Sequence, residues 1–265
     1  MRKVKESERT RLLNYLATEP EINMFFIGVI ENHCLDSDEV EVFVEENPKI
    51  DDWNIVILKY YDNYILYSRD DNFQLKAVVD FLKNDIVDSV NGKSSIIRRI
   101  APFFPRMKVE EKSLLRLDNL TAAAIDYGKV KIRILTPEDA GSIIDLYAQN
   151  IDYESSFVSN KEKYIAERRS NLEGNGIAVG LIYKHRLVSV AEISTDNDLT
   201  GLIVGIATHP KYYGRGFATQ AITALCIEAF RQGKKHICVF HDNPKITSLL
   251  KNIGFEEKSQ YALLH

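Results

Sequence analysis

The spacing of apolar residues in the first half of the chain predicts a mixture of helices and strands. Apolar positions recur at helical spacing in three segments, and helices are expected at residues 7–17, 21–32 and 73–83. Strands are expected at residues 39–45, 55–60 and 64–68, the last two pairing around a turn at 61–63. Segments at 94–101 and 113–117 extend this order of helix, helix, strand, strand, strand and helix.

The second half shows the same kinds of pattern with clearer ends. Thr136, Pro137 and Asp139 make a strong helix start, as N-cap, first helical residue and capping-box acid. Helices are predicted at residues 137–149, 160–172 and 216–232, the last closed by Gly233. Strands are predicted at residues 130–135, 176–183, 187–195, 202–208 and 236–240, with a turn at 184–186. The predicted fold class is therefore α+β.

Length and composition indicate two ordinary domains. The chain has 265 residues of which 45% are hydrophobic, enough for two cores, and its composition changes near residues 118–128. We therefore predict one domain over residues 1–126 and another over residues 127–265. Apolar runs stay well below the roughly 20 residues of a membrane helix, and the N-terminus lacks the apolar stretch of a secretion signal, so we expect a cytoplasmic protein without a membrane partner.

Charge, cysteine and histidine positions exclude several other classes. The net charge is -4 and basic residues alternate with acidic ones, so a nucleic acid partner is not expected. Cys34, Cys226 and Cys238 show no paired spacing, and the last two fall in apolar elements where they are expected to fill the core. His209 and His241 have no third ligand at metal spacing, so no metal is expected.

The segment from Gly205 to Thr219 joins an apolar strand to a glycine loop that opens directly into a helix. Gly214 and Gly216 allow the backbone to approach a ligand closely. The first N–H groups of the helix, the positive end of its dipole and the charge of Arg215 together suit a pyrophosphate. Any tight strand-to-helix turn also uses glycine, so the loop by itself equally fits a structural role.

The same loop resembles motif A of the GNAT superfamily of acetyl-CoA-dependent N-acyltransferases, usually written R/Q-x-x-G-x-G/A. Gly216 and Ala218 match its small positions, whereas Tyr213 stands where the family prefers Arg or Gln. Residues 243–255 resemble the second family signature, N-x-x-A-x-x-L-Y-x-x-x-G-F, and match it at Asn243, Leu249, Gly254 and Phe255. Ile246 and Leu250 depart from its Ala and Tyr. The resemblance covers residues 129–265.

The resemblance implies a mixed, mostly antiparallel sheet flanked by helices, with acetyl-CoA as cosubstrate. In that fold the strand before the loop splays from its neighbour and offers backbone N–H groups to the acetyl oxygen and the pantetheine. By position these groups belong to Ile206 and Thr208, with Ala207 between them, although an ordinary paired core strand is the alternative. The remaining residues implied to contact the cofactor are Tyr213, Gly214, Arg215, Gly216, Phe217, Ala218, Thr219 and Asn243.

Several of these residues have a second interpretation. Asn243 also suits the N-cap of a helix beginning at Pro244. Tyr212 and Tyr213 suit either stacking on adenine and lining the acceptor mouth or simple packing. The acceptor side of the family fold is bordered here by the segment containing Tyr153 and Phe157.

Candidates for proton transfer are fewer. Many GNAT enzymes protonate the leaving thiolate with a tyrosine, but the matching residue here is Leu250, which has no proton to give. Ser248 is a candidate in its place, although hydroxyls on helix surfaces also bond backbone or water. Glu192 interrupts an apolar strand and is a candidate general base, acting directly or through water with a pKa raised by burial. Alternation along the strand equally allows Glu192 to face solvent or a lysine.

The first half has roughly the element order with which a GNAT domain begins, and we expect a smaller α+β domain that is a degenerate copy of the second. Its glycines, Gly28 and Gly92, do not open a helix after a strand, so this half is not expected to bind CoA. The plan resembles tandem GNAT proteins, including glycine N-acyltransferases, in which an inactive half precedes an active one.

The predicted function is transfer of an acetyl group from acetyl-CoA to a primary amine by direct attack on the thioester. A small metabolite or amino-acid-like acceptor is favoured over a protein because a second domain can wall off the cleft. One alternative is a non-catalytic CoA-binding module or sensor, which the departures at Tyr213 and Leu250 favour. Another is an acyltransferase for longer acyl-CoA, which the tandem plan favours.

Overall fold

The computed structural model describes residues 1–35, 37, 39–47, 49, 52–120, 130–150, 160–194 and 199–265. The chain divides into two compact units, each assembled from separate parts of the sequence. The first unit contains Met1–Leu114, Phe240–Asp242 and Glu257–His265. The second unit contains Leu115–Val239 and Asn243–Glu256. The boundary predicted between residues 126 and 127 falls among residues 121–129, outside the described part, and stays a prediction.

The first unit is a sheet with helices, as an α+β domain requires. Its helices are α1 (Arg9–Leu16), α2 (Met24–Asn32), α3 (Leu75–Lys83) and α4 (Ser94–Ile100). Its strands are β1 (Arg2–Lys3), β2 (Val40–Asn47), β3 (Asp52–Tyr60), β4 (Asn63–Tyr67), β5 (Ser89–Lys93) and the C-terminal β12 (Glu256–Leu264), and β6 (Val109–Leu117) starts here and ends in the second unit. Strands β1 to β4 pair antiparallel in chain order, and β5 pairs parallel with β4 and antiparallel with β12.

Alternation accounts for the strands of this unit. Val40, Val42 and Val44 of β2 are buried while the residues between them are partly exposed, and the strand predicted at 39–45 is confirmed. In the core, Ile55 and Ile57 of β3 belong to the same apolar cluster as residues of α3 and α4. The hydrophobic effect therefore holds α3 and α4 against this face of the sheet.

The second unit repeats this construction. Its helices are α5 (Ala140–Tyr147), α6 (Lys161–Glu173), α7 (Phe217–Arg231) and α8 (Pro244–Ile253). Its strands are β7 (Lys131–Ile134), β8 (Ile177–Tyr183), β9 (Arg186–Ser194), β10 (Thr200–Thr208) and β11 (His236–His241), whose last two residues belong to the first unit. Strands β7 to β10 pair antiparallel in chain order, and β11 pairs parallel with β10. The predicted α+β class with a mostly antiparallel sheet is confirmed.

The two faces of this sheet carry different helices. Ala191 and Ile193 of β9 belong to the apolar cluster that contains α7 residues, whereas Val190 belongs to the cluster that contains α5 residues. Side chains alternate along a strand, so Glu192 shares the α5 face with Val190. The fold thereby places a carboxylate beneath a helix. Cys226 and Cys238 are buried, and their predicted role as core residues is confirmed.

Local signals located the element ends well. The backbone N–H of Thr136 donates to the carboxylate of Asp139 over 2.9 Å, so the predicted capping box is confirmed. Gly233 has a φ of 98°, which confirms it as the residue that ends α7. The turn predicted at 184–186 is shorter by one residue, because Arg186 already pairs with Tyr183 across the hairpin.

The two units share one order of elements in the described residues. Each has a strand, two helices, three antiparallel strands, a helix, a strand parallel to the third of these and a further helix. This shared topology agrees with the prediction that the first half is a copy of the second.

Sequence patterns missed β1, β5 and β12. Strand β5 contains Asn91 and Gly92, residues that are rare in strands. A Cβ atom at Gly92 would lie 2.4 Å from the carbonyl oxygen of Leu66, so glycine is needed where the backbones of β4 and β5 approach each other. Residues 89–93 form a strand because they pair with β4 and β12, and the sequence of the segment alone does not reveal this pairing.

Candidate functional site

Strand β10 changes its pairing halfway along its length. Its parallel ladder with β11 runs from Thr200 to Ile203, opposite His236 to Val239. Its antiparallel register with β9 shifts by one residue between Ile203 and Gly205, which makes Val204 the extra residue of a β-bulge. The ladder with β9 then continues to Thr208, whereas the ladder with β11 has ended. We call the side of residues 205–208 that faces away from β9 the diverging edge.

A single hydrogen bond shows which backbone groups lie on the diverging edge. The N–H of His209 donates to the carbonyl of Val188 over 2.9 Å, so this N–H group points toward β9. Successive backbone N–H groups of a strand point alternately to its two sides, so the N–H of Ala207 also points toward β9. The N–H groups of Ile206 and Thr208 point to the diverging edge. These are the two residues predicted to offer N–H groups, with the buried Ala207 between them.

The loop after β10 is built around two glycines with left-handed backbone. Gly214 has a φ of 73° and Gly216 has a φ of 74°, a conformation that costs other residues about 1–2 kcal/mol. A Cβ atom at either position would meet nothing within 4 Å. Backbone conformation, and not crowding within the protein, therefore explains why glycine stands at these two positions.

Gly216 is also the N-cap of α7. The N–H of Gln220 donates to the carbonyl of Gly216 over 3.0 Å, closing the first turn. The N–H groups of Phe217, Ala218 and Thr219 come before this bond and project from the end of the helix. Free donors and the helix dipole together make this end attractive to an anion.

Aromatic packing fixes the base of the loop. The ring of Tyr212 lies 5.5 Å from that of Tyr183 and 6.0 Å from that of Phe217, measured between centroids. The guanidinium of Arg215 lies 5.2 Å from the centre of the Tyr212 ring, within cation–π range. Of the two interpretations of Tyr212, the structure supports packing. Its ring also holds the cation of Arg215 at the loop.

Tyr213 links the loop to Asn150, which lies three residues after the end of α5. Tyr213 is 59% exposed, and its hydroxyl donates to Oδ1 of Asn150 over 2.6 Å. Asn150 is buried and donates through its own amide to the carbonyl of Leu146 over 2.7 Å. Sequence reasoning missed Asn150, because an asparagine after a helix carries no signal of a partner so far along the chain.

The second motif forms the start of α8. Oδ1 of Asn243 accepts from the N–H of Lys245 over 3.0 Å, so its predicted N-cap role is confirmed, and a contact with the cofactor stays a prediction. Ser248 is exposed and its hydroxyl donates to the carbonyl of Pro244 over 3.2 Å, the helix-surface role named above. Its catalytic role stays a prediction. Leu250 is fully buried in the core.

Glu192 is fully buried on the α5 face and meets two partners. The hydroxyl of Tyr147, at the end of α5, donates to Oε2 over 2.7 Å. Nε of Arg168, from α6, lies 3.3 Å from Oε1, close enough for an ion pair but not aligned as a hydrogen bond. Glu192 therefore faces neither solvent nor a lysine. Tyr147 and Arg168 were missed because their link to Glu192 is visible only after folding.

Burial raises the pKa of the Glu192 carboxyl, and the charge of Arg168 and the hydrogen bond from Tyr147 oppose this only in part. The direction agrees with the predicted effect of burial. A carboxylate in such surroundings is costly, because desolvation disfavours its charged form. The role of Glu192 as general base stays a prediction.

The first unit has strands equivalent to β10 and β11 but a different geometry between them. The ladder of β4 with β5 reaches Leu66, one residue before β4 ends. The connection to α3 contains Asp70 and Asp71, whose carboxylates repel phosphate. Arg99 of α4 donates to the carbonyl of Asp71. That the first half does not bind CoA stays a prediction.

Two further predictions bear on the site. Tyr153 and Phe157 lie outside the described residues. His209 accepts from the N–H of Lys211 through Nδ1 over 3.2 Å and caps a short turn. Within the described ranges, no group of three or more His, Cys, Asp or Glu side chains is placed to hold a metal ion. The described helices are too short or too polar to cross a membrane.

Comparisons with known proteins converge on one family. Residues 144–255 match the model of the acetyltransferase (GNAT) family. The matched interval runs from α5 to the residue after Gly254 and includes the bulge of β10, the glycine loop and α8. No curated protein sequence matches the chain.

Solved structures share the fold over almost the whole chain. A Drosophila protein is 15% identical, with a TM-score of 0.68, and the alignment covers 99% of this chain and 97% of that one. A GCN5-related N-acetyltransferase from Sphaerobacter thermophilus is 12% identical, with a TM-score of 0.62 and coverage of 99% and 93%. A tandem GNAT protein from the clavulanic acid biosynthesis pathway is 9% identical, with a TM-score of 0.59 and coverage of 99% and 96%. Residues 144–255 therefore form a GNAT acetyltransferase domain, within a chain that shares the fold of these structures over almost its whole length, and the protein is an acyl-transferring enzyme.

Proposed function

We propose that the protein transfers an acetyl group from acetyl-CoA to the primary amine of a small metabolite or amino-acid-like acceptor. The observation that carries the proposal is the divergence of β10 from β11 directly before a glycine loop and a helix N-terminus. One continuous segment thus presents backbone donors suited to a thioester and then donors suited to a diphosphate.

The glycine loop suits the diphosphate of the donor. The N–H groups of Phe217, Ala218 and Thr219 and the dipole of α7 favour an anion, and Arg215 adds a positive charge. Tyr213 adds no donor to this set, because its backbone N–H donates to the carbonyl of Pro210 over 3.2 Å and its hydroxyl is engaged with Asn150. The family preference for Arg or Gln at this position concerns the side chain, and tyrosine here leaves the donors of residues 217–219 in place.

The diverging edge suits the pantetheine arm and the acetyl group. An extended ligand can pair with the backbone of Ile206 and Thr208 as an added strand would. An N–H group aimed at the acetyl oxygen stabilises the negative charge that develops there when the amine attacks. Because backbone groups perform this step, the side chains at 206 and 208 are incidental to it.

Proton transfer makes smaller demands on the protein. The attacking amine must lose a proton, and water or a side chain can accept it. A thiol ionises at about pH 8.5, so the CoA thiolate can depart without a strong protein acid, which fits the buried Leu250. Ser248 is the candidate acid on α8. Complete burial of Glu192 does not favour its direct contact with an acceptor.

The proposal is tested by incubating the full chain with acetyl-CoA and a panel of amino acids, polyamines and amino sugars. Thiol release is followed with a chromogenic reagent, and the N-acetylated product is identified by mass spectrometry. We expect amine-dependent release, and its loss in Gly216→Trp, whose indole fills the loop. Release that does not depend on any amine, or that persists in Gly216→Trp, would contradict the proposal.

A CoA-binding module is the second candidate, because Leu250 replaces the tyrosine of the second motif. Calorimetric binding of acetyl-CoA without product from any amine would favour it. An acyltransferase for longer chains is separated by competition, since a bulkier acyl-CoA would then displace acetyl-CoA at lower concentration than acetyl-CoA displaces it.

A further inference from the structure

Gly205 makes a contact that explains why glycine stands directly after the bulge. It pairs with Glu192 across the ladder between β10 and β9. A Cβ atom at Gly205 would lie 1.9 Å from the hydroxyl oxygen of Tyr147 and 2.9 Å from Oε2 of Glu192. The Tyr147 hydroxyl therefore occupies the space above Gly205 that the side chain of any other residue would fill.

Three elements meet at this point. Tyr147 ends α5, Glu192 lies on β9, and Arg168 comes from the middle of α6. The centre of the Arg168 guanidinium also lies 5.8 Å from the centre of the Tyr147 ring. We call these three residues the bulge clamp. An apolar side chain at position 192 would avoid the cost of burying a carboxylate. Stability alone therefore does not explain why glutamate stands there.

We propose that the bulge clamp positions the diverging edge of β10, and so aims the backbone N–H groups of Ile206 and Thr208 at the thioester carbonyl. Gly205 lies between the bulge residue Val204 and the first of these donors. The Tyr147 hydroxyl packs against the backbone of Gly205 and is hydrogen-bonded to Glu192 on β9. This contact fixes the position of β10 relative to β9. The three side chains are positioning residues and need not touch substrate. This inference rests on the proposed function, since it assumes that acetyl-CoA lies along β10.

The test compares acetyl-CoA with S-ethyl-CoA, which has the same size but carries a CH₂ group in place of the acetyl carbonyl. Both are titrated calorimetrically into the full chain. A hydrogen bond to the carbonyl oxygen should make acetyl-CoA bind about two- to tenfold more tightly. The affinity for S-ethyl-CoA reports the remainder of the donor site, including the glycine loop. The ratio of the two affinities therefore measures the contribution of the hydrogen bond between the backbone N–H groups and the acetyl carbonyl.

Gly205→Ala is expected to abolish the preference for acetyl-CoA and to leave the affinity for S-ethyl-CoA within about threefold of the wild type. Its matched control is Gly201→Ala on the same strand. A Cβ atom there would lie 3.2 Å from Cδ1 and Cγ2 of Ile193, a tight contact that is much less severe than the 1.9 Å overlap at Gly205. The control should keep both affinities.

Two substitutions at Glu192 provide a test that does not depend on inserting a methyl group. Glu192→Gln keeps an oxygen that accepts from the Tyr147 hydroxyl and should keep the preference for acetyl-CoA. Glu192→Leu has similar bulk without an acceptor and should lose it. Tyr147→Phe removes the donor and should behave like Glu192→Leu. Melting curves identify any variant that does not fold. The variants that do fold then test whether the bulge clamp positions the N–H groups.

The possible results separate the two levels of the proposal. A preference that survives in Gly205→Ala, Glu192→Leu or Tyr147→Phe overturns the clamp while the donor site stands. Equal affinities of the wild type for the two ligands also overturn it, because no N–H would then reach the carbonyl. Failure of the wild type to bind either ligand overturns the proposed function itself.

Discussion

Gly216 and Gly233 stand at opposite ends of α7 and allow the loop to be tested against a matched position. Both have positive φ, 74° and 98°, and a Cβ atom at either meets nothing within 4 Å. An alanine in the left-handed region costs about 1–2 kcal/mol. Part of this is offset, because alanine lowers the entropy of the unfolded chain by about 0.4–1 kcal/mol. We therefore expect Gly216→Ala and Gly233→Ala each to lower the free energy of unfolding by about 1 kcal/mol.

The two variants should differ in ligand binding. Because the protein leaves the space over Gly216 empty, a methyl group there would meet the diphosphate and not another residue. Loss of one hydrogen bond to a charged group costs about 1.5–3 kcal/mol, which corresponds to a roughly 10- to 100-fold weaker affinity for acetyl-CoA. Gly233→Ala should bind as the wild type does, since it lies at the other end of the helix.

Urea denaturation gives the stability of each variant, and calorimetry gives its dissociation constant for acetyl-CoA. Equal, wild-type affinity in both variants would refute the reasoning, because the loop would then not approach the donor. A similar loss in both would also refute it, since the effect would follow from altered folding and not from the position of the methyl group.

Three further predictions concern stability. Burial raises the pKa of Glu192, so the folded state favours the protonated carboxyl, and the stability present below the ordinary glutamate pKa is lost as the pH rises. Glu192→Gln should therefore melt at a higher temperature than the wild type at pH 7, and the difference should shrink toward pH 4. A lower melting temperature of the variant at pH 7 would contradict this. Asn243→Ala should cost about 1 kcal/mol in urea denaturation through loss of the N-cap of α8, whereas Asn243→Ser should keep most of it, and equal losses would argue against the cap. Gly141 lies in α5 where a Cβ atom meets nothing within 4 Å, so Gly141→Ala should raise the free energy of unfolding by about 0.5–1 kcal/mol, and a decrease would show an unseen constraint.

Features encoded by neighbouring residues were predictable from the sequence. The capping box at Thr136, the closing glycine of α7 and the glycine loop each depend on residues a few positions apart, and the structure has all three. The diverging edge at Ile206 and Thr208 followed from the resemblance, and the pairing of β10 supplies its geometry. Their contact with acetyl-CoA stays a prediction.

Features that depend on distant residues were not predictable. The sequence shows that Glu192 is a carboxylate in an apolar strand, but its partners Tyr147 and Arg168 come from two helices that the fold brings over it. Gly205 looked like part of an apolar strand, and only the position of the Tyr147 hydroxyl shows why it has no side chain. Strand β5 was missed for the same reason, because its pairing on both sides outweighs its weak strand propensity.

The central claim is that acetyl-CoA lies along the diverging edge of β10 with its diphosphate at the start of α7. Backbone amide resonances of the ¹⁵N-labelled full chain, followed during titration with acetyl-CoA, test this most directly. We predict that the largest shifts occur at Ile206, at Thr208 and over residues 214–219, while residues 69–74 of the first unit do not respond. Saturating shifts confined to other parts of the chain, or unchanged resonances at 206, 208 and 214–219, would contradict the account.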